Sequence, residues 1–247
     1  MLSGEFAYDR FASVYDKYTD MVGKVSESEE TSAFLARLCR GGNALELGIG
    51  SGRVAVPLTE RGVTVEGIDN SENMLKLLAD RTDLIKAWKG NIAGFSSEQC
   101  YRLVYCIYNT FMVLVTREEQ IACLQSAADA LDEEGVLVVE LRVPAFDGFV
   151  NGQKTTTMFV DHENTFLNAE IHDPITQNLI QTFLWFSGTS VRRLPERLRY
   201  VYHQELDTMA EHVGLKLSER WGDWKRGAFT DASKRHVSVY RRNRLKR

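Results

Sequence analysis

The chain has no Cys-x-x-Cys or His-Glu-x-x-His spacing, no apolar run near the roughly 18 to 20 residues that span a bilayer, and no surplus of positive charge. Each absence removes a class of function. Cys39, Cys100, Cys106 and Cys123 lie far apart in apolar or helical contexts, so buried thiols in a reducing cytoplasm are expected rather than a disulfide framework. His162, His172, His203, His212 and His236 show no paired spacing with one another or with cysteine, and no zinc site is supported. The formal charge of -4 argues against a nucleic-acid footprint, which would show as a basic domain or stripe. The basic tail Arg241, Arg242, Arg244, Lys246 and Arg247 reads as a solvated extension. The opening residues MLSGEFAYDRF lack the basic-then-apolar pattern of an export signal, and a cytoplasmic location without membrane association is expected. Thr155 to Thr157 and Ser187 to Ser190 carry no nucleophile-elbow pattern around them.

What is present is alternation. Ser26 and Glu29 have capping-box spacing ahead of a helix that stops at Gly41-Gly42. A short apolar run at 44–47, a glycine loop, a helix over 54–61 and a second run from Val63 to Ile68 form the strand-helix-strand unit of a parallel sheet. Ser71 caps the next helix, strands follow at 84–88 and 103–108, and Thr116 with Glu119 makes a second capping box before a helix to Leu131. After a turn at Glu134-Gly135, Val136 to Val143 is a buried strand. From Phe146 the texture changes to β-rich runs at 155–160, 165–171 and 179–186, separated by Asn-Gly, Asp-Pro and Ser-Gly turns. A helix over 205–212 ends at Gly214, and two strands at 215–221 and 236–241 close the chain. The fold expected is α/β, a doubly wound, Rossmann-like seven-stranded sheet with an antiparallel β insertion. The division is a core of 1–145 and 200–247, with 1–40 as an N-terminal helical lid, and an insertion of 146–199 over the active site.

The stretch ALELGIGSGRVAV packs Gly48, Gly50 and Gly52 between two apolar runs. Such glycines permit positive φ and close approach of backbone to a ligand, and the helix that follows presents unpaired N–H groups. The residue three after Gly50 is Arg53, so the third glycine of the dinucleotide fingerprint is missing. Asp69 ends the second strand, where a carboxylate can accept hydrogen bonds from both hydroxyls of an adenosine ribose. Glu46, inside an apolar strand, would orient the loop or meet a cationic group of the ligand.

The sequence E-L-G-I-G-S-G followed by G-I-D-N-S-E-N-M-L resembles motifs I and II of class I S-adenosylmethionine-dependent methyltransferases. G-N-I at Gly90 to Ile92 falls at the adenine-binding position, with Asn91 where that family usually has Asp; an amide oxygen can still accept from the adenine amine. IYNTFMVLVTREEQ, ERLRYVYHQELDTMAEHVGLKLSERWGDW and HVSVY are similar to a bacterial branch with a β-rich insertion before its last helix. The resemblance implies S-adenosylmethionine as cofactor, S-adenosylhomocysteine as product, and Asn70, Met74, Asn91 and Ile92 as cofactor contacts. In related enzymes an N-terminal helix with a Tyr-Asp pair covers the cofactor. That makes Tyr15 a lid candidate and Tyr18 an acceptor contact, while the stripe Tyr8, Phe11, Tyr15 also reads as ordinary packing.

Open α/β sheets bind ligands beyond the carboxyl ends of their strands. The acceptor should therefore meet Asn109 and Thr110, Arg142, and the helix entered through Tyr202 and His203. His203 is a candidate general base or a plain helix-entry residue. Glu140 would bind a cationic acceptor, take a proton, or be a paired buried carboxylate. Trp185, with Phe186, Trp221, Trp224 and Phe229, supplies either an acceptor wall or core, with core preferred for Trp221. The reading is methyl transfer to a small organic acceptor, at nitrogen or oxygen ahead of carbon, with a homodimer left open. Its rivals are a methyltransferase acting on RNA or protein, a non-catalytic nucleoside-binding module, and a nicotinamide oxidoreductase.

Overall fold

The computed structural model describes residue 9, residue 12 and residues 25–243. Two sheets organise them. The larger is built from β1 (Asn43–Leu47), β2 (Thr64–Asp69), β3 (Lys86–Lys89), β4 (Tyr101–Cys106), β5 (Leu131–Arg142), β10 (Leu215–Trp221) and β11 (Arg235–Arg242), in the order β10-β11-β5-β4-β1-β2-β3. The first five strands run parallel, and β11 lies antiparallel to both β5 and β10. Helices α1 (Val25–Cys39), α2 (Ala55–Glu60), α3 (Glu72–Arg81), α4 (Arg117–Ala130) and α5 (His203–His212) cover it. This is the doubly wound, seven-stranded arrangement that the alternating sequence predicts.

Local chemistry sets the boundaries. The Ser71 hydroxyl accepts from the Met74 N–H at the start of α3. Thr116 and Glu119 close a reciprocal capping box on α4, satisfying two of the N–H groups a helix start leaves open. The chain is already helical at Val25, and the side chain of Ser26, where a capping box was expected, lies outside the described residues. Glu134-Gly135 is no turn but part of β5, which begins at Leu131; a shift in register against β4 absorbs the polar residues. Helix α5 begins at His203, two residues before the apolar periodicity signals it. Of the four thiols Cys39, Cys106 and Cys123 are buried, whereas Cys100 is exposed, because it lies in the loop before β4.

One face of the sheet buries Phe34, Leu58 and Trp224 with α1 and α2. The other buries Phe111, Leu124 and Met209 with α4 and α5. Among the described residues no helix is long and apolar enough to cross a membrane, and no three His, Cys, Asp or Glu side chains converge as metal ligands would.

The second sheet is a four-stranded antiparallel meander, β6 (Gln153–Val160), β7 (Asn164–Asp173), β8 (Asn178–Ser187) and β9 (Ser190–Arg199). Three of these strands correspond to the β-rich runs. The fourth, SVRRLPERLR, is concealed in the sequence by its arginines and Pro195. As an edge strand it pairs, among the described residues, only with β8, where a residue without an N–H is tolerated. Period-2 alternation divides the sheet into two faces. Its inner face docks at two places: Phe166, Trp185 and Leu194 pack with Met74 and Ala12, while Leu179 and Leu198 join the main core. Phe186 lies on the outer face, 37% exposed, and contributes to no wall. At the return to α5, the buried Arg199 guanidinium donates to Gln120, Gln177 and Glu205, so its charge is fully engaged.

Candidate active site

The glycine loop leaves β1 at its carboxyl end. Gly48 and Ile49 both donate to the Ile68 carbonyl, at 2.8 and 3.0 Å, which ties the loop to β2. The three glycines have φ of +78°, +55° and +79°, in the left-handed region that side chains disfavour. Their reasons differ. A Cβ on Gly48 would stand 2.3 Å from Thr110 Cγ2, and one on Gly52 2.4 Å from Leu78 Cδ1, so both are required by packing. A Cβ on Gly50 would meet no atom within 4 Å. Gly50 is thus the point where the backbone lies open to a ligand.

Asp69, at the end of β2, faces that point. Its Oδ2 accepts the Gly50 N–H at 2.7 Å and its Oδ1 accepts the Ser71 N–H at 2.8 Å. Burial raises its pKa, while these two bonds oppose the shift. A carboxylate has about four acceptor positions, so these bonds leave room for a further donor. Glu46 lies beneath the loop, almost fully buried. It accepts the Tyr105 hydroxyl at 3.0 Å, and desolvation pushes its pKa up to about 8. Beyond β3, the Asn91 Oδ1 accepts the Ala93 N–H at 2.9 Å and Ile92 is buried. Asn70 is exposed at the start of α3; Met74 is buried there. The ends of three neighbouring strands thus bring together Gly50, Asp69, Asn70 and Asn91, and the open backbone, spare carboxylate lone pairs and amide oxygen fit an adenosine nucleoside.

The loop after β4 is strained. Tyr108 and Asn109 are consecutive non-glycine residues with φ of +55° and +66°. Glu140 holds the first, accepting the Tyr108 N–H at 2.6 Å, and also pairs with Arg235 at 3.5 Å. Asn109 holds the second: its Oδ1 accepts the Arg142 N–H at 2.7 Å. Thr110 then lies against Gly48, which joins this loop to the glycine loop. Arg53 covers the Tyr108 ring at 3.7 Å, and the Tyr108 hydroxyl is 3.1 Å from Thr31.

His203 lies elsewhere on this rim. Its ring is 5.1 Å from Phe229 and 6.3 Å from His236, and burial, with Arg220 nearby, lowers its pKa. Tyr202 is 43% exposed and meets Tyr200 edge-on. Trp185 is buried and donates its indole N–H to Asn164 at 3.1 Å. Tyr15 and Tyr18, with Tyr8 and Phe11, lie outside the described residues. From that segment, Asp9 accepts from the Ser71 hydroxyl at 2.5 Å and from the Asn73 N–H at 3.2 Å, while Ala12 meets Met74. Asp9 and Glu170 were not legible in the sequence: nothing local marks them, since Ser71 and Arg142 lie far along the chain.

A family model described as a methyltransferase domain matches residues 44–135. The chain is 36% identical to the CcbJ methyltransferase of Streptomyces caelestis, with a TM-score of 0.90 and 96% of this chain and 98% of that one covered. It is 24% identical over 239 residues to the cypemycin N-terminal methyltransferase of a Streptomyces species, covering 96% of this chain and 94% of the relative. The fold is shared with CalS10 of Micromonospora echinaspora, an amino pentose methyltransferase solved with S-adenosylmethionine bound, at a TM-score of 0.70, 19% identity, and 93% and 96% coverage. With a relative 36% identical along nearly its whole length and a TM-score of 0.90, this chain belongs to the class I S-adenosylmethionine-dependent methyltransferases.

Proposed function

We propose that the protein transfers a methyl group from S-adenosylmethionine to a small organic acceptor, at nitrogen or oxygen, and releases S-adenosylhomocysteine. The observation that carries this reading is Gly50, whose open backbone is held against Asp69. Around it, the spare lone pairs of Asp69 would take the ribose hydroxyls, Asn91 and Ile92 the adenine, and Asn70 and Met74 the flank at the start of α3. Gly48 and Gly52 shape the loop, and Glu46 supports it from below. Tyr15, in the segment before α1, would close over the cofactor, with Tyr18 toward the acceptor.

Bound adenosylmethionine supplies a methyl carbon on a sulfonium; the acceptor's lone pair forms the new bond as the carbon–sulfur bond breaks and sulfur keeps that pair. The protein's part is to align the two and exclude water. Asn109 and Thr110 position the acceptor above the glycine loop, with Arg142 beside them, and Tyr202 and Trp185 on the side of segment 146–199. Glu140 acts through the Tyr108 N–H, holding the strained loop in register. His203, neutral at physiological pH because burial lowers its pKa, is the candidate to take the acceptor's proton. The name of the Streptomyces relative, an N-terminal methyltransferase, favours nitrogen over oxygen.

Calorimetry tests the site. Wild-type protein is expected to bind adenosylmethionine in preference to NADH, and Asp69→Ala to weaken that binding at least tenfold. An unchanged dissociation constant would remove Asp69 from the site, and wild-type protein that ignores adenosylmethionine would overturn the reading.

A further inference from the structure

The loop after β4 is held from more directions than its own strand supplies. Tyr108 and Asn109 take consecutive left-handed conformations, which persist in non-glycine residues only where the surroundings over-determine them. β5 contributes three restraints: the Glu140 carboxylate on the Tyr108 N–H, the Glu140 carbonyl on the Asn109 N–H, and the Arg142 N–H on Asn109 Oδ1. Others come from the glycine loop and from α1, and they converge on Tyr108. Arg53 covers its ring at 3.7 Å.

Helix α1 reaches Tyr108 by two routes. In the first, Thr31 donates its single O–H to the Glu27 carbonyl at 2.8 Å, so the bond between the Thr31 and Tyr108 hydroxyls, at 3.1 Å, runs from the phenol. Burial pushes the phenol's pKa up to about 12, so it keeps the proton that this bond needs. In the second route the Glu27 carboxylate pairs with Arg235, whose Nη1 also lies 3.5 Å from Glu140 Oε1. The other oxygen, Glu140 Oε2, is the one that accepts the Tyr108 N–H. Arg235 stands opposite Arg142 in the β5–β11 ladder, at the strand ends that carry the loop. The Glu140 side chain is 4% exposed, whereas those of Arg235 and Glu27 keep 32% and 23%. A carboxylate so enclosed holds its charge at a cost, and a guanidinium at this distance offsets it. Arg235 therefore strengthens the grip of Glu140 on Tyr108, and Glu27 fixes Arg235. Among the described residues neither bonds to Gly50, Asp69 or Asn91.

We infer that Glu27 and Arg235 are positioning residues for methyl transfer. They form a relay of carboxylate, guanidinium and carboxylate, running from α1 through β11 and Glu140 to the Tyr108 N–H, and it sets where Asn109 and Thr110 stand above the glycine loop. This rests on the methyltransferase reading above and extends it to residues that act through Glu140. The test labels the nine tyrosines with nitrogen-15 in protein saturated with S-adenosylhomocysteine, and identifies the Tyr108 amide by its loss in Tyr108→Phe. A bond to a carboxylate draws an amide proton downfield, so Arg235→Gln and Glu27→Gln should each move that proton upfield. Given methyl-labelled S-adenosylmethionine and a desalted small-molecule extract, the same variants should form labelled product at least tenfold more slowly at saturating extract. Their S-adenosylhomocysteine affinity should stay within twofold of wild type, which also reports that they fold. Arg235→Lys, which keeps the charge, should leave the amide in place and the rate within threefold. Arg61→Gln breaks the pair with Glu29 on the same helix and should change neither. An unmoved Tyr108 amide or an unchanged rate in Arg235→Gln, or effects as large in Arg61→Gln, overturns the inference while wild type is active. Wild type that forms no S-adenosylhomocysteine from adenosylmethionine and extract overturns the methyltransferase reading instead, and the positioning role with it.

Discussion

Glu46 and Asp69 are both carboxylates buried at the head of the glycine loop, yet they are held differently. Asp69 accepts two backbone N–H groups, whereas Glu46 accepts one tyrosine hydroxyl, with Arg53 favouring and Asp69 opposing its charge. Burial dominates at Glu46, moving its pKa from 4.5 to about 8. The folded protein then keeps a proton that the unfolded chain releases at lower pH. Stability linked to Glu46 is therefore fully present below pH 4.5 and is lost as pH rises toward 8. Glu46→Gln cannot ionise, so its stability relative to wild type should improve with pH, by up to about 1.4 kcal/mol per unit. Urea denaturation at several pH values between 5 and 8 measures this; a constant difference would mean that Glu46 is already charged in the native state. At this scale Glu46, Asp69 and the glycines were legible because their partners are at most two adjacent strands away. Glu170 was not, since the Arg142 that gives it meaning belongs to another sheet.

Elements explain why neighbouring glycines should respond differently to the same substitution. Gly50→Ala and Gly52→Ala each force a side chain into the left-handed region, at a cost of roughly 1–2 kcal/mol. Only Gly52→Ala also drives a methyl into Leu78 of α3, adding about 1–3 kcal/mol of overpacking. Thermal denaturation should accordingly rank Gly52→Ala as the less stable, and calorimetry should find that the better-folded Gly50→Ala has lost more affinity for adenosylmethionine than its stability explains. Equal melting temperatures, or a Gly50→Ala that binds as wild type, would contradict this division between packing and ligand. Strands and helices of the larger sheet were legible because capping boxes and apolar runs are local signals, as at Ser71 and Thr116. Strand β9 was concealed because an edge strand can carry arginines and proline that a central strand cannot. The consecutive left-handed pair Tyr108-Asn109 has no sequence signature of its own; it is imposed by Glu140 and Arg142 from β5.

For the molecule as a whole, the division of labour follows from which ends of which strands meet. β1, β2 and β3 bring Gly50, Asp69 and Asn91 to one edge, β4 and β5 present the strained loop and Arg142, and Glu170 of the four-stranded sheet meets that arginine at 3.9 Å. Sequence alone carried the architecture, since its strands and helices repeat patterns of short range, and it named Gly50 and Asp69, which the fold brings together. It could not carry the docking of the inserted sheet, which runs through Trp185, Phe166 and Leu198. The measurement that tests the central claim most directly supplies the purified protein with methyl-labelled S-adenosylmethionine and a desalted small-molecule extract, then follows label and S-adenosylhomocysteine together by mass spectrometry. The account predicts that one small molecule gains the label as S-adenosylhomocysteine forms in equal amount. Label confined to RNA or protein, or bound adenosylmethionine that never yields S-adenosylhomocysteine, would contradict it.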